Sequence, residues 1–398
     1  MPERMQLDLP APSPEALAHS DSVRAHVRQH IEAAGGWISF AEYMGLVLYA
    51  PGLGYYSAGA NKFGELGDFV TAPVISPVFS RCLAGQCAEV LDSLGGGKIL
   101  EPGAGTGIMA ADMLLELQRL EALPDEYLIL EPSAELRERQ LQTIVHRAPQ
   151  LRDRVRWLDS SPEEAFRGVV VANEVLDALP VQRFVLNADA TDELGVAVDG
   201  GRFVADCRPA GAELLAAVDT IRHLPGFNPA EGYQSEICLQ LPAWIKTVAE
   251  WLDEGVALLL DYGFPRHEYY FSERSSGTLR CYYRHRAHED PFIWPGLQDI
   301  TAWVDFSALA HAAAAAGFAV TGYTTQANFL LASGIDERVT AFPERPQEQV
   351  EMARGLRQLL LPGEMGESVK VMALSRGGVA APSGLHGRDM RSRLTQSA

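Results

Sequence analysis

A glycine-rich turn that begins with an acidic residue is the stretch of this chain best suited to chemistry. The run ILEPGAGTG reads as a strand that passes through Glu101 and turns at Gly103, Gly105 and Gly107 into a helix. Glycines lack the Cβ atom that would block a sharp turn and the close approach of main-chain N–H groups to ligand oxygens. A carboxylate beside such a turn disfavours a phosphate and favours a cationic group. The turn therefore predicts a site for S-adenosylmethionine, with Glu101 and the three glycines facing its methionine part.

The same turn is also compatible with a dinucleotide cofactor. Gly105, Gly107 and Ala110 also fit the G-x-G-x-x-G/A spacing of dinucleotide-binding folds. Glu131 follows the next predicted strand, Tyr127–Leu130, where an acid accepts hydrogen bonds from the ribose hydroxyls of either cofactor. Glu131 is therefore assigned to the ribose, but it does not discriminate between S-adenosylmethionine and NAD. A turn that merely connects a strand to a helix is the plainer alternative.

Strands and helices alternate on both sides of the glycine turn. A helix is predicted over Pro77–Leu94, and further strands over Val155–Leu158, Gly168–Ala172 and Val256–Asp261. Such βα units form a parallel sheet with helices on both faces. The expected fold is therefore α/β, with its ligands at the carboxyl ends of the strands.

Polar residues follow two of these strands at that edge. Asp159 and Ser160 come after the third predicted strand and are assigned to the adenine edge of the cofactor. Asn173 ends the fourth predicted strand and is assigned to the cofactor site as well. These assignments depend on strand order and not on any motif.

The segment before the glycine turn is expected to cover the ligand. A helix is predicted over Asp21–Ala34, and Tyr43–Ser80 is too rich in Gly, Tyr and Pro for a regular element. Within it, Asp68, Phe69 and Thr71 of the stretch GDFVT are predicted to close over the cofactor. An aromatic loop packed as part of the core is the alternative.

The chain divides into three parts on these patterns. We predict a helical and lid segment over residues 1–94, a core over 95–376, and a disordered tail over 377–398. Within the core, alternating apolar residues predict a β insertion at about 182–208. A long aromatic loop spans about 262–301.

Composition limits the classes of partner. The formal net charge of -19 disfavours nucleic acid, although solubility alone also explains an acidic surface. No apolar run is long enough to span a membrane, and the N-terminus lacks the features of a signal or transit peptide. A bacterial cytoplasmic location without an integral membrane segment is therefore expected. Five scattered cysteines without C-x-x-C spacing indicate neither disulfides nor a metal site.

Six stretches together resemble one known family. They are, in order, FGELGDFVTAPVIS, ILEPGAGTG, VVANEVLDALPV, LLLDYG, GTLRCYYRHR and GLQDITAWVDFSAL. From about Ile38 to Leu374 the chain is similar to the MidA-like methyltransferases. The resemblance implies a class I S-adenosylmethionine-dependent methyltransferase fold, which is Rossmann-like with a seven-stranded, mostly parallel sheet and insertions. Because mitochondrial members are complex I assembly factors that methylate an arginine, it also implies methyl transfer to a protein arginine, with a complex I subunit as the candidate partner.

The chain departs from the mitochondrial pattern at two places. Ala104 and Thr106 stand where relatives often carry proline and arginine, and Asn173 stands where they carry histidine. Neither departure removes an acid. A titrating imidazole at position 173 is therefore not essential to the reaction expected here.

Two acids are the catalytic candidates if the acceptor is an arginine. Its guanidinium remains protonated, so one cation must approach another, and carboxylates have to offset the repulsion. At ~4 Å and an effective dielectric constant of about 20, the attraction between one carboxylate and the guanidinium is worth about 4 kcal/mol. Glu174 and Asp177 lie in the loop after the fourth predicted strand. Capping the N-terminus of a helix that starts near Leu176 is the alternative role for both.

Two further functions fit the same residues. One is a methyltransferase that acts on a small molecule, and the other is an assembly factor that binds S-adenosylmethionine without turnover. All three functions predict cofactor binding, but only the two enzymes require Glu174 for turnover.

Overall fold

A computed structural model describes residues 9–57, 71–188, 190–339 and 345–395 of the chain. The strands are β1 (Trp37–Ile38), β2 (Lys98–Pro102), β3 (Tyr127–Leu130), β4 (Val155–Leu158), β5 (Phe166–Asn173), β6 (Gln182–Leu186), β7 (Thr191–Asp199), β8 (Arg202–Pro209), β9 (Tyr233–Ile237), β10 (Leu252–Phe264), β11 (Arg280–Tyr283), β12 (Arg286–His288), β13 (Asp299–Thr301), β14 (Val304–Asp305), β15 (Ala319–Thr325) and β16 (Val369–Arg376). The α-helices are α1 (Pro14–Ala33), α2 (Phe40–Tyr49), α3 (Ala72–Ile75), α4 (Pro77–Leu94), α5 (Ile108–Arg119), α6 (Ala134–Arg147), α7 (Ala212–Arg222), α8 (Leu241–Trp251), α9 (Arg266–Tyr269), α10 (Phe306–Ala315), α11 (Gln326–Ala332), α12 (Ile335–Arg338), α13 (Pro346–Leu360) and α14 (Met365–Ser368). Short 3-10 helices cover Pro149–Arg154, Ser383–Leu385 and Arg391–Arg393.

The central sheet has seven main strands in the order β15-β16-β10-β5-β2-β3-β4. The neighbours from β10 to β4 are parallel, whereas β16 runs antiparallel to both β10 and β15. The two residues of β14 add a short parallel pair beside β10. Strands β5 and β10 are apolar and buried in their central residues, 169–172 and 256–260, because helices cover both faces of the sheet. The predicted seven-stranded, mostly parallel sheet is confirmed.

The β insertion is larger than the sequence predicted. Strands β6, β7 and β8 form an antiparallel sheet as expected, but β1 and β9 extend it at its edges. Helix α7 packs Leu214, Val218 and Ile221 against Phe184 and Tyr233 of this sheet. The insertion therefore continues to the end of β9, because α7 buries its apolar face there and not on the central sheet.

The aromatic loop at 262–301 contains regular structure of its own. Strand β11 pairs with β12 and with β13 to form a small antiparallel sheet. The bonds between β11 and β13 bring Asp299 opposite Tyr282. This small sheet carries side chains to the carboxyl edge of the central sheet.

The N-terminal segment is more helical than predicted. Helix α1 begins at Pro14 because the side chain of Ser13 accepts a hydrogen bond from the amide of Ala16. Helix α2 forms inside the stretch that was predicted to be irregular, where Ser39 and Glu42 build a capping box. Local capping thus outweighs the Gly and Tyr content of the flanking residues.

The prediction of a disordered tail is wrong for residues 377–395. The amide of Gly384 donates to Gln86 Oε1 at 2.5 Å, and the amide of Ser383 donates to Glu89 Oε2 at 2.8 Å. Leu385 is buried, and the amide of Met390 donates to the carbonyl of Tyr323 at the central sheet. The polar composition of the tail does not reveal these partners because they lie far away in sequence.

Across the part of the chain that the structure describes, no helix has the length and apolar content needed to cross a bilayer. All five cysteines are free thiols. In the same ranges no group of three or more His, Cys, Asp or Glu side chains is placed to hold a metal ion.

Candidate active site

An open cleft of about 1300 Å³ lies at the carboxyl edge of the central sheet. One wall is built from the turn after β2 and the start of α5, and includes Glu101, Gly103 and Gly105. The opposite wall is acidic and aromatic, and includes Glu174 and Asp177. The cleft thus has two chemically different halves, which we call the glycine half and the acidic half.

The backbone of the glycine half needs glycine. Gly103, Gly105 and Gly107 have φ angles of 67°, 52° and 78°, a region that other residues rarely adopt. A Cβ atom at Gly107 would also lie only 3.0 Å from Cα of Gln140. Gly107 does not line the cleft but caps the N-terminus of α5, which gives this half of the cleft a partly positive backbone.

Glu101 is a buried acid at the wall of the glycine half. Its side chain accepts a hydrogen bond of 2.6 Å from the hydroxyl of Tyr127. Burial raises the pKa of Glu101 to about 7, and the bond from Tyr127 partly opposes this rise. A positive group in the cleft would favour the ionised form of Glu101.

Glu131 lies behind the glycine half and does not line the cleft. It accepts hydrogen bonds from the amide of Ser133 at 2.9 Å and from Nε2 of Gln140 at 3.2 Å. Gln140 also donates to the carbonyl of Gly105 and accepts from Nε1 of Trp157 at 2.9 Å. Gln140 therefore connects the carboxyl ends of β2, β3 and β4.

Gln140 is not among the site residues predicted from the sequence. Its one signal is a polar residue one helical turn before Ile144, on the face of α6 that turns out to be buried. A buried amide on an apolar face indicates hydrogen bonds to other elements. Which elements provide them depends on the fold.

Asp159 and Ser160 lie at the edge of the sheet and not at the cleft. Both residues are exposed, and the hydroxyl of Ser160 donates to Asp159 at 3.3 Å. Leu136 and Arg139 of α6 line the cleft on this side of the glycine half. The structure does not bring the two predicted adenine contacts into the cleft wall because they follow the edge strand β4.

Of the three residues predicted to close over the cofactor, the structure describes only Thr71. Asp68 and Phe69 lie outside the described residues. Thr71 lines the cleft and occupies the N-cap position of α3. The next amide, of Ala72, donates to Glu174 Oε1 at 3.4 Å. The residue directly after the GDFVT stretch therefore contacts the acidic half.

Glu174 has a strained backbone and a buried carboxylate. Its φ angle of 52° is in the left-handed region, which is costly for a residue other than glycine. Oε1 accepts from Nδ2 of Asn173 at 3.2 Å, while Glu174 Oε2 and Asn173 Oδ1 are buried without a hydrogen-bond partner among the described residues. Burial, followed by repulsion from Asp261, raises the pKa of Glu174 to about 8.

Asp177 is the second acid of this turn and is buried. Burial raises its pKa well above the usual value, and the nearby charges of Asp261, Asp299 and Glu174 raise it further. The turn leads into β6 and no helix follows it, so the alternative of helix capping at Glu174 and Asp177 is wrong. Both carboxylates are left to face the cleft.

The acidic half also contains residues that the sequence analysis did not select. Asp299 accepts a hydrogen bond of 2.8 Å from the hydroxyl of Tyr56. Aromatic rings complete this wall: Tyr55, Tyr56, Tyr262, Tyr282 and Trp303. These residues lie in two parts of the chain that are far apart in sequence, at 55–56 and at 262–303. Their signal was aromatic content in two long loops, which did not show that the loops meet.

The sheet order, the glycine turn after β2 and the acid before it define a class I methyltransferase. Residues 82–324 match the family described as S-adenosyl-L-methionine-dependent methyltransferases. The chain belongs to this family, and the MidA-like resemblance is confirmed.

Related proteins with curated names and solved structures agree with this assignment. The chain is 30% identical to Protein arginine methyltransferase NDUFAF7, mitochondrial, of Mus musculus, over 88% of this chain and 83% of that protein. It is 29% identical to the Danio rerio protein of the same name, over 87% and 86%. A crystal structure from Burkholderia thailandensis bound to S-adenosylhomocysteine is 47% identical, with a TM-score of 0.90 over 96% of this chain and 98% of that one. The cofactor is S-adenosylmethionine and not NAD.

Proposed function

We propose that this methyltransferase transfers a methyl group to the guanidinium of an arginine in a protein. The observation that carries the proposal is the acidic half of the cleft, where Glu174, Asp177 and Asp299 meet a set of aromatic rings. Arginine is the side chain that combines a permanent positive charge with a flat face for stacking on such rings. Relatives over most of the chain are named protein arginine methyltransferases, which supports the same acceptor.

The glycine half fits the methionine part of S-adenosylmethionine. Amides of the turn after β2 and the N-terminus of α5 suit its carboxylate, and the buried acid Glu101 suits its ammonium group. Glu131 and Gln140 hold the shape of the turn from behind. The bound cofactor supplies a methyl group on a positively charged sulfur.

Glu174 and Asp177 have two tasks in the acidic half. They offset the repulsion between the guanidinium and the sulfonium, since one carboxylate at ~4 Å contributes about 4 kcal/mol at a dielectric constant of about 20. They also orient the guanidinium through hydrogen bonds, which a carboxylate accepts in pairs. The aromatic rings exclude water from the same volume.

The transfer is a direct displacement in which atoms and charge balance. A lone pair of the guanidinium nitrogen forms the new bond to the methyl carbon, and the carbon–sulfur bond breaks with its electron pair left on sulfur. The nitrogen loses one proton, which a carboxylate of the acidic half accepts. Burial raises the pKa of Glu174 to about 8 in the ligand-free protein, and the positive guanidinium favours its ionised form, which then accepts the proton.

A subunit of respiratory complex I is the protein substrate that the family resemblance suggests. We also place the reaction in the cytoplasm, where such a subunit is made in a bacterium. A methylated arginine found on that subunit only in cells that carry the gene would support them.

The proposal is tested by cofactor binding and by turnover. Calorimetric titration with S-adenosylhomocysteine and, in parallel, NAD measures the cofactor. Labelled S-adenosylmethionine and a library of peptides with one arginine or one lysine each then measure transfer, and mass spectrometry locates the methyl group. We expect label on arginine only. Label on lysine or only on small molecules would overturn the proposal, and tight binding without any transfer would favour an assembly factor.

Glu174→Gln gives the sharpest version of this test. It should lower transfer by about 100-fold or more, since it removes a charge and a proton acceptor, while S-adenosylhomocysteine affinity changes less than about threefold. Glu126→Gln is the matched control, because Glu126 pairs with Lys98 and Arg156 just before β3, at the edge of the sheet opposite the cleft. Equal activity of the two variants would exclude Glu174 from the reaction.

A further inference from the structure

Asp261 is a buried carboxylate that lies next to the acidic half without lining the cleft. Its Oδ2 atom accepts hydrogen bonds from three consecutive amides, those of Val175 at 3.1 Å, Leu176 at 2.8 Å and Asp177 at 3.3 Å. Its Oδ1 atom accepts from the amide of Tyr262 at 2.8 Å. Both oxygens of the side chain are therefore occupied by backbone donors.

The turn that Asp261 holds carries both proposed catalytic acids. At its start, the amide of Glu174 donates to the carbonyl of Leu260 at 2.8 Å. At its end, the carbonyl of Asp177 accepts from the amide of Ala302 at 2.9 Å. Between these two hydrogen bonds, the amides of residues 175–177 donate only to Asp261 among the interactions that the structure describes. Asp261 therefore holds the middle of the turn in place.

The strained backbone of the turn needs hydrogen bonds that stabilise it. Glu174 has a φ angle of 52°, and a non-glycine residue in this region costs about 1–3 kcal/mol unless its surroundings enforce it. Burial raises the pKa of Asp261 to about 7, and the amide donors oppose this rise because they stabilise its ionised form. Hydrogen bonds from amides to an ionised carboxylate are roughly twice as strong as neutral ones. Three of them on one oxygen are sufficient to hold a single strained turn in place.

We propose that Asp261 is the positioning residue of the acidic half, which fixes the 174–177 turn so that Glu174 and Asp177 face the acceptor. This inference deepens the proposed function and rests on the assignment of those two acids. Asp261 itself touches neither the cofactor nor the acceptor, because it does not line the cleft.

The charge of Asp261 has a second, measurable effect on the turn. Repulsion from Asp261 raises the pKa of both Glu174 and Asp177. Asp299, on β13, also raises the pKa of Asp177. Lys370 of β16 lies opposite Asp261 in the register of the sheet, but its ammonium donates to the carbonyl of Gly263. Removing the charge of Asp261 should therefore lower the pKa of the two turn acids.

Asp261→Asn tests the positioning role in the intact protein. The amide keeps one acceptor oxygen but presents N–H₂ on the other side, so it cannot serve both the turn and Tyr262. Amide hydrogen exchange at residues 175–177 should speed up by about tenfold or more, while exchange at Ala302 changes little. This measurement needs no acceptor, so it tests Asp261 even if no arginine peptide is methylated.

Measurements of kcat, cofactor affinity and the pH profile distinguish a positioning role of Asp261 from a general loss of stability. With an arginine peptide that the unmodified protein methylates, kcat should fall by about tenfold or more, while S-adenosylhomocysteine affinity changes less than about threefold. The acid limb of the pH profile should move to lower pH, which a purely structural defect would not produce. Asp112→Asn is the control, because Asp112 is a buried acid on α5 that pairs with Arg147 outside the cleft lining.

Two results would overturn the proposal. One is a folded Asp261→Asn protein with unchanged exchange at residues 175–177 and unchanged turnover. The other is a loss of turnover matched by Asp112→Asn, with no shift of the pH profile. If Asp261→Asn does not fold, Asp261→Glu replaces it, because the longer side chain keeps the charge but displaces the acceptor oxygen. That variant should show the same loss of kcat at retained cofactor affinity.

Discussion

At the scale of single residues, the cleft is distinguished by acids whose burial holds their protons. Glu101 on one side and Glu174 on the other both have pKa values raised toward neutrality, chiefly by burial. Each lies where a positive group of a ligand is expected, on the cofactor for Glu101 and on the acceptor for Glu174. Ligand charge and protein ionisation are therefore coupled at both ends of the cleft.

Tyr127→Phe should shift the pH dependence of cofactor binding. The hydroxyl of Tyr127 stabilises ionised Glu101 and lowers its pKa, so its loss should raise that pKa further above about 7. The ionised form attracts the ammonium of the ligand, so S-adenosylhomocysteine affinity rises with pH in both proteins, but at higher pH in the variant. At neutral pH the variant should bind up to about tenfold more weakly. Calorimetry across the pH range measures both curves.

Tyr43→Phe is the control for this prediction. Tyr43 is also buried, and its hydroxyl donates to the carbonyl of Pro291 at 2.7 Å, away from Glu101. Its removal should leave the pH midpoint of binding unchanged. The same midpoint in both variants would show that Tyr127 does not govern the ionisation of Glu101.

At the scale of elements, the site depends on segments that meet at one edge of the sheet. Strands β2, β5 and β10 end side by side, and the small sheet of β11, β12 and β13 places Asp299 against them. The C-terminal segment packs against α4 and β15 and does not line the cleft. It thereby contributes to the stability of the core that holds the cleft.

Leu385→Ala should destabilise the protein by about 2–4 kcal/mol, because Leu385 is buried and contacts the sheet at Gly322. Urea unfolding measures the change. Arg388→Ala, three residues further along and exposed, should stay within about 0.5 kcal/mol of the parent. If both variants were neutral, the packing of residues 377–395 would contribute nothing to stability in solution.

At the scale of the whole molecule, several buried acids act together on folding. Glu101, Glu174 and Asp261 all have raised pKa values in the folded state, about 7, 8 and 7. As pH rises, the unfolded chain releases these protons first, so the folded state becomes less stable until the folded pKa values are passed. The ligand-free protein should therefore melt a few degrees lower at about pH 8 than at about pH 6.5.

This pH window isolates the buried acids. Below pH 6.5, the lowered pKa values of His26 and His288 make the folded state more stable as pH rises. Above pH 8, Lys370 has the same effect, because its pKa is lowered to about 8. Thermal melting with and without S-adenosylhomocysteine gives the measurement. Glu174→Gln should reduce the fall in melting temperature. A melting temperature that rises steadily from pH 6.5 to 8 would contradict the raised pKa values.

The sequence by itself determined the class of fold and the glycine half of the cleft. Strand, turn and helix are local there, so Glu101 and the glycines at 103, 105 and 107 are read from nine consecutive residues. The motifs also determined the family, and the loop after β5 marked Glu174 and Asp177. All of these depend on short-range spacing, which a sequence shows directly.

Only the tertiary structure decided how the acidic half is built. Asp261 and Asp299 lie more than eighty residues beyond the turn of Glu174, and topology alone brings them together. Asp159 and Ser160 fall outside the cleft because the sheet order makes β4 an edge strand. The need for partners from other elements explains why Gln140 was missed and why the tail is ordered. In each case the decisive partner comes from a distant element, and hydrogen bonds and burial between distant elements leave no regular period in the sequence.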